Sequence, residues 1–271
     1  MKSKFYTYIP ASPINKWVRF IWISEGQNDT TKSKVLPNGS IELIINFGNK
    51  QKTLERDTLN TKNTFRNYWI AGLQQQPIII QSETDTNLLG IRFLPGGAYP
   101  FFKFPVCEMS DSVIEADWLK QELEDLRDKA YNLNDHKTII SIVEQYLKKK
   151  YGDTFYTISA VQNAAINIFS IDQRFSVREF VQRSGYSHKH FISLFRDQVG
   201  VTPKTLQRIV RLQKIIKTLK HTEKIDWMDI VYRFSYYDHS HLVHDFKKLT
   251  WMSPEEYLTL RTFDENHCII R

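Results

Sequence analysis

The chain has 271 residues, long enough for two ordinary domains, and with 41% apolar and 25% charged residues it has the balance of a globular protein that builds real cores. Its two cysteines, Cys107 and Cys268, lie far apart in unrelated contexts, which excludes a zinc ribbon or disulfide framework and points to a reducing compartment. The net charge of +7 is unevenly spread: residues 174–220 hold 11 Lys and Arg against only Glu179 and Asp197, whereas residues 221–271 hold 6 basic against 9 acidic side chains. Such a basic block is the footprint of a polyanion binder. No apolar run reaches the roughly 18–20 residues of a membrane helix, and the first residues lack the apolar core of a secretory signal.

The first hundred residues read as strands. Trp17–Ile23, Ile41–Phe47 and Leu88–Leu94 are short and rich in β-branched or aromatic side chains. Turn residues bound them, at Pro37-Asn38-Gly39, Gly48-Asn49 and Pro95-Gly96-Gly97. Residues 50–66 are polar and read as a loop or an irregular hairpin. Several strands at close spacing predict a sandwich or small barrel. Its aromatics, with Trp22 and Trp69 near Glu42 and Arg92, mark a candidate ligand pocket. A metal-binding version needs a histidine cluster on the strands, and residues 1–150 contain only His136, so no metal or cofactor is expected. Cys107 has no activating base nearby in the sequence and reads as buried packing.

Helical periodicity begins after Pro105. Asp111 or Ser112 is expected to cap a helix carrying Trp118, Leu119, Leu123 and Leu126, and a second helix is expected over about Asn134–Lys150. These two form either an intramolecular pair or a dimer seam. The run from Lys148 to Asp153 marks a boundary, and the chain beyond it reads as helix to about Arg261.

That last part contains a repeat. Val177, Val181, Gly185 and Tyr186 correspond, 50 residues on, to Trp227, Val231, Ser235 and Tyr236. Phe191, Phe195, Thr202 and Pro203 correspond, 51 residues on, to Leu242, Phe246, Ser253 and Pro254, so one residue is inserted at the turn. One supersecondary unit is therefore used twice. Each reads as helix, tight turn, helix. Ser176 and Glu179 form a capping box, Gly185 supplies the positive φ of the turn, and Ser187 caps the next helix. In the second unit Asp226 and Asp238 cap. Between the units Lys204–Lys220 is a long basic helix with Leu206, Ile209, Val210, Leu212, Ile216 and Leu219 on its apolar side.

The outward faces carry the candidate DNA contacts. Lys189, Ile192, Ser193 and Arg196 in the first unit, and Ser240, His241 and His244 in the second, are placed for base edges. Lysine suits guanine, serine several edges, and isoleucine a thymine methyl. His239 is also expected to point outward. Arg178, Arg183, Arg208, Arg211, Lys214, Lys217 and Lys247 are candidates for phosphates. The acidic balance after residue 220 predicts that the first unit dominates affinity.

Residues 154–261 resemble the AraC/XylS transcriptional regulators. Asp229-Ile230-Val231-Tyr232, Tyr236–Leu242, Asp245-Phe246-Lys247 and Ser253–Tyr257 carry the likeness, with Thr202-Pro203 and Arg211-Leu212 in the linker. The amino-terminal part looks like that family's sensor region, through Leu36–Gly39, Leu43–Asn46 and Arg92–Ala98. Two positions depart: Ser235 and Trp251 stand where the family usually has glycine. The resemblance implies a jelly-roll or cupin-like sensor, a helical dimerisation segment and a seven-helix DNA-binding domain.

The expected fold class is α+β. A β-rich cupin-like domain (1–110) and a helical connector (111–153) precede an all-α double helix-turn-helix domain (154–271). The expected function is a non-enzymatic, sequence-specific regulator or activator of transcription in the bacterial cytoplasm, on the nucleoid when bound to DNA. Its expected partners are double-stranded DNA, with a small-molecule effector, RNA polymerase and a second copy of the chain as further candidates. The rivals are a DNA-modifying or repair enzyme with the same reading head, and an architectural DNA-binding protein without an effector.

Overall fold

A computed structural model describes residues 4–27, 31–83, 85–131, 133, 135–152, 159–170, 176–222, 225–260 and 267–270. The expected domain boundary at residues 153–154, Arg174 in the basic block, and Arg261 at the expected helix end lie outside them.

Two antiparallel sheets build the amino-terminal domain. The first contains β1 (Lys4–Tyr8), β2 (Val18–Gln27), β4 (Glu42–Asn46), β7 (Tyr68–Ala71), β9 (Asp85–Phe93) and β10 (Val113–Glu115), in the order β1-β2-β9-β4-β7-β10. The second contains β3 (Thr31–Val35), β5 (Gln51–Leu54), β6 (Thr61–Phe65), β8 (Ile78–Ser82) and β11 (His267–Ile270), in the order β11-β3-β8-β5-β6. The polar stretch 50–66 is the β5–β6 hairpin, irregular because the register shifts between Thr53 and Leu54. β11 comes from beyond the helical domain and pairs with β3, a strand that the helical reading of the carboxy-terminal part did not foresee.

Alternation along the strands divides the first sheet into two faces. Ile21, Ile23, Leu43, Ile45, Ile70, Leu89 and Ile91 turn one way and join the main core. Covering them are α1 (Ala98–Phe102), α2 (Lys120–Tyr131) and α3 (His136–Tyr151), through Phe101, Leu123, Leu126, Ile139, Val143 and Leu147. The apolar stripes of α2 and α3 are thus spent on the sheet of the same chain.

The connector differs from expectation in one respect. Asp111 and Ser112 cap no helix: Asp111 has φ 56° and its carboxylate accepts from the Gln75 backbone N–H and side-chain amide, both at 2.6 Å. The chain there pairs as β10 against β7, so α2 starts only at Lys120. Trp118, expected on the apolar stripe, is 49% exposed for the same reason.

The carboxy-terminal domain holds, among the described residues, seven α-helices: α4 (Ala160–Ser170), α5 (Val177–Ser184), α6 (His188–Val199), α7 (Pro203–His221), α8 (Trp227–Arg233), α9 (His239–Thr250) and α10 (Pro254–Thr259). The protein is therefore α+β, with most strands in the amino-terminal part, most helices in the carboxy-terminal part and β11 returning to the second sheet at the end. Its core is continuous across both parts, because α4, α6 and α7 pack into the cluster that also holds the first sheet. Polar bonds cross the same junction. Ser110 Oγ donates to the Gly200 carbonyl at 2.6 Å, and Gln162 Nε2 to the Lys16 carbonyl at 2.9 Å. Gln213 Nε2 donates to the Pro37 carbonyl at 2.6 Å.

Candidate nucleic-acid interface

Each helix-turn-helix unit is set by local chemistry. In the first, Ser176 Oγ accepts from the Glu179 amide at 3.3 Å and Ser187 Oγ from the His190 amide at 3.3 Å. Gly185 between the helices sits at φ 75°, the left-handed region that glycine enters without steric cost. In the second, Asp226 caps α8, and Asp238 Oδ1 accepts from the His241 amide at 2.7 Å. A complete capping box, with both bonds made, closes on α10 between Ser253 and Glu256. We expect Asp238→Ala to cost about 1 kcal/mol in a denaturation titration and to fray the first turn of α9, which carries Ser240 and His241.

The two departures from glycine keep glycine's conformation: Ser235 has φ 57° and Trp251 has φ 60°. The turn and the helix end therefore demand the left-handed region, and these residues adopt it at a cost of order 1 kcal/mol each.

Exposure separates the expected contact residues. Lys189, Ser193 and Arg196 on α6 are exposed, and Ile192 beside them is half-buried against the core. On α9, Ser240, His241, His244 and Lys247 are exposed. His239 does not point outward as expected: it is half-buried, and its ring lies 6.0 Å from that of Trp227. Helix α7 joins the units with 19 residues, a rod of about 28 Å at the usual rise.

The expected phosphate contacts divide likewise. Arg178, Arg183, Lys217 and Lys247 are exposed and Lys214 is half-buried. Arg211 lies over the Tyr236 ring, 4.8 Å from its centroid. Arg208 is turned inward: its guanidinium forms an ion pair with Asp245, and its Nε donates to Asp245 Oδ1 at 2.7 Å. Tyr236 Oη donates to the other oxygen, Asp245 Oδ2, at 3.1 Å. Asp245 is 4% exposed inside the second recognition helix, so this triad fastens α9 to α7. Burial, and then the Asp245 carboxylate, pushes the Tyr236 hydroxyl well above its ordinary range. Sequence reasoning missed Asp245. The available signal was an acid on the same helical face as Leu242, Phe246 and Leu249.

In the amino-terminal domain, the four expected pocket residues share the face of the first sheet that turns away from α2 and α3. Register places Trp22, Gly90, Ile44 and Trp69 in one row across four strands, with Phe20, Arg92, Glu42 and Ala71 in the next. The Trp22 indole lies across Gly90, where a Cβ would stand 1.9 Å from its Cε2. It donates from Nε1 to Glu42 Oε2 at 2.9 Å. Glu42 Oε1 accepts from Arg92 Nε at 2.9 Å and from Asn38 Nδ2 at 3.1 Å. Phe65 of the second sheet closes the face against Trp69, their ring centroids 5.6 Å apart. Cys107 is half-buried rather than buried. Its thiol points at Asp197 of α6, 3.7 Å away, and burial followed by that carboxylate pushes its pKa up, away from nucleophilic use. Among the described residues there is no group of three or more metal-ligating side chains, and no helix is long and apolar enough to cross a membrane.

Two helix-turn-helix units joined by one long helix, each with a polar recognition face in solvent, have the architecture of a DNA-binding domain. Family comparison agrees: residues 180–259 match the model described as a helix-turn-helix domain, and residues 6–115 match a domain of unknown function (DUF6597). Residues 180–259, which hold both units, are thus a helix-turn-helix domain. No curated protein matches the chain. Among solved structures, it is similar to ToxT from Vibrio cholerae O395, with 14% identity over 90% of this chain and 99% of that one and a TM-score of 0.46. An unsaturated fatty acid bound wild-type ToxT from Vibrio cholerae strain SCE256 has 12% identity over 89% and 94%, with a TM-score of 0.44. The AraC-like transcriptional activator CuxR has 11% identity over 80% of each chain and a TM-score of 0.34.

Proposed function

We propose that the protein is a sequence-specific regulator that reads two successive major grooves on one face of B-DNA, α6 in one and α9 in the other. The observation that carries this is the pair of solvent-facing recognition helices joined by α7, whose length of about 28 Å is close to the roughly 34 Å of one duplex turn. Lys189, Ile192, Ser193 and Arg196 read one segment, and Ser240, His241 and His244 the other. Arg178, Arg183, Lys217 and Lys247 neutralise phosphates, with Arg211 and Lys214 at the edge of that surface. Arg208 we assign to the triad with Asp245 rather than to DNA.

The shared sheet face of Trp22, Glu42, Trp69 and Arg92, two adjacent rows across the strands, supports control by a small molecule. It combines an ion pair with apolar walls, the mixture by which binding sites orient a ligand.

The test is substitution on each recognition helix of the full-length chain, read out on a library of DNA sequences. Ser193→Ala relaxes the preference in one segment and His244→Ala in the other, each by about 1–3 kcal/mol per base pair read. Loss of preference in the same positions from both variants contradicts two-groove reading.

A further inference from the structure

The second helix-turn-helix unit is fastened to the sensor-like domain at two places that converge on one strand. The first is main-chain. His267–Ile270 pairs antiparallel with β3, in the register His267 to Val35, Cys268 to Lys34, Ile269 to Ser33 and Ile270 to Lys32. Without it β3 would be the edge of its sheet, with a row of unpaired N–H and C=O groups.

The second is a side chain. Trp251 ends α9 at φ 60°, a conformation that glycine adopts without strain and tryptophan does not. Its indole reaches the second sheet: Arg56, in the β5–β6 turn, lies 4.6 Å from the ring centroid, and Lys34 Nζ, on β3, lies 5.8 Å from it. Cation–π contacts of this geometry are attractive, and the tryptophan face gives the strongest of them. A glycine would end the helix equally well and would lose both cations. The same residue, Lys34, is thus held from above by Trp251 and along its backbone by β11.

We propose that Trp251 and the segment His267–Ile270 form an intramolecular clasp that holds the second unit on the sensor-like sheet and so pre-sets α9 for its groove. This rests on the two-groove reading for its consequence but not for its existence. The clasp leaves Ser240, His241 and His244 in solvent, so closure is compatible with DNA contact. Holding α9 in place lowers the ordering cost of docking a second helix once the first has docked, as any short, stiff connection between two binding modules does. Because β3 pairs with β8 inside the sheet, a change in sheet geometry also reaches α9 by this route.

The test uses two variants of the full-length chain. Trp251→Gly keeps the helix end and removes the ring. Cys268→Pro with Ile269→Pro attacks the strand: successive residues of an antiparallel strand alternate the N–H direction, so one of the pair must lose a ladder bond. Hydrogen exchange at residues 32–35, measured without DNA, is expected to rise about tenfold or more in the double proline variant. On the DNA motif selected by the wild-type chain, both variants are expected to weaken protection of the α9 segment by about tenfold, with the α6 segment unchanged. Unchanged exchange overturns the clasp. Faster exchange with unchanged or stronger protection of the α9 segment overturns its pre-setting role. If the wild-type chain selects no motif, the two-groove reading fails, while exchange still decides whether the clasp exists.

Discussion

Replacing Asp245 by alanine is expected to lower the stability of the carboxy-terminal domain by about 3 kcal/mol, the lower end of the range for breaking a buried ion pair. The lower end applies because the Arg208 side chain retains 26% exposure and recovers some solvation, whereas the Asp245 side chain is 6% exposed and holds two partners. Its loss strands the Arg208 guanidinium and leaves the Tyr236 hydroxyl, which donates at 3.1 Å, without its acceptor. Tyr236→Phe removes one bond and is expected to cost about 1–2 kcal/mol, less than the aspartate change. Arg208→Ala distinguishes two roles. A residue of the triad lowers the denaturation midpoint on substitution and leaves an unpaired carboxylate in the second recognition helix. A phosphate contact leaves the midpoint unchanged and reduces the salt slope of DNA binding by about one. We expect the first outcome.

Gly97→Ala is expected to be as damaging, for a different reason. The glycine has φ −72°, so its backbone is ordinary and the constraint is space. A Cβ there would lie 2.0 Å from the Trp17 carbonyl oxygen and 2.9 Å from that of Leu94. Both are main-chain atoms already committed: the Trp17 carbonyl accepts from the Leu94 amide and the Leu94 carbonyl from the Gly97 amide, each at 2.8 Å. The Gly97 carbonyl in turn accepts from the buried Tyr151 hydroxyl at 2.9 Å, tying the end of α3 to this turn. No rotamer change relieves such a clash, so the backbone must shift, at about 3 kcal/mol or more. Gly185→Ala is the control. Nothing lies within 4 Å of its Cβ position, so it pays only for the left-handed backbone at φ 75°, about 1 kcal/mol. Equilibrium denaturation of the two variants against the parent chain measures the difference.

Local chemistry was legible in the sequence, and long-range chemistry was not. The caps at Ser187, Asp226 and Asp238 and the left-handed Gly185 act within three or four residues and were read correctly, and at Ser176 the structure shows the serine half of the expected capping box, the bond from the Glu179 amide. The repeat located both recognition helices, because Phe191 and Phe195 keep the same spacing as Leu242 and Phe246. Trp22, Glu42, Trp69 and Arg92 were grouped from the sequence as one candidate pocket, but only the structure shows that they share a sheet face and that Glu42 is already shared by Trp22, Asn38 and Arg92. The misreadings at Asp111 and Arg208 depend on partners far along the chain, whereas that at His239 depends on Trp227 in the same unit. Asp111 looks like a helix cap until Gln75 is seen to occupy its carboxylate. Arg208 looks like a surface cation until Asp245, 37 residues away, is found beneath it. Ile269 and Ile270 are unremarkable until β3 supplies an edge for their strand.

The measurement that tests the central claim most directly is selection of random double-stranded DNA by the full-length protein at two salt concentrations. Two-groove reading predicts a motif of two segments centred about one helical turn apart, with affinity falling steeply as salt rises because several phosphates are neutralised. Binding with no sequence preference at either concentration would contradict it, and would move the protein to an architectural role on DNA.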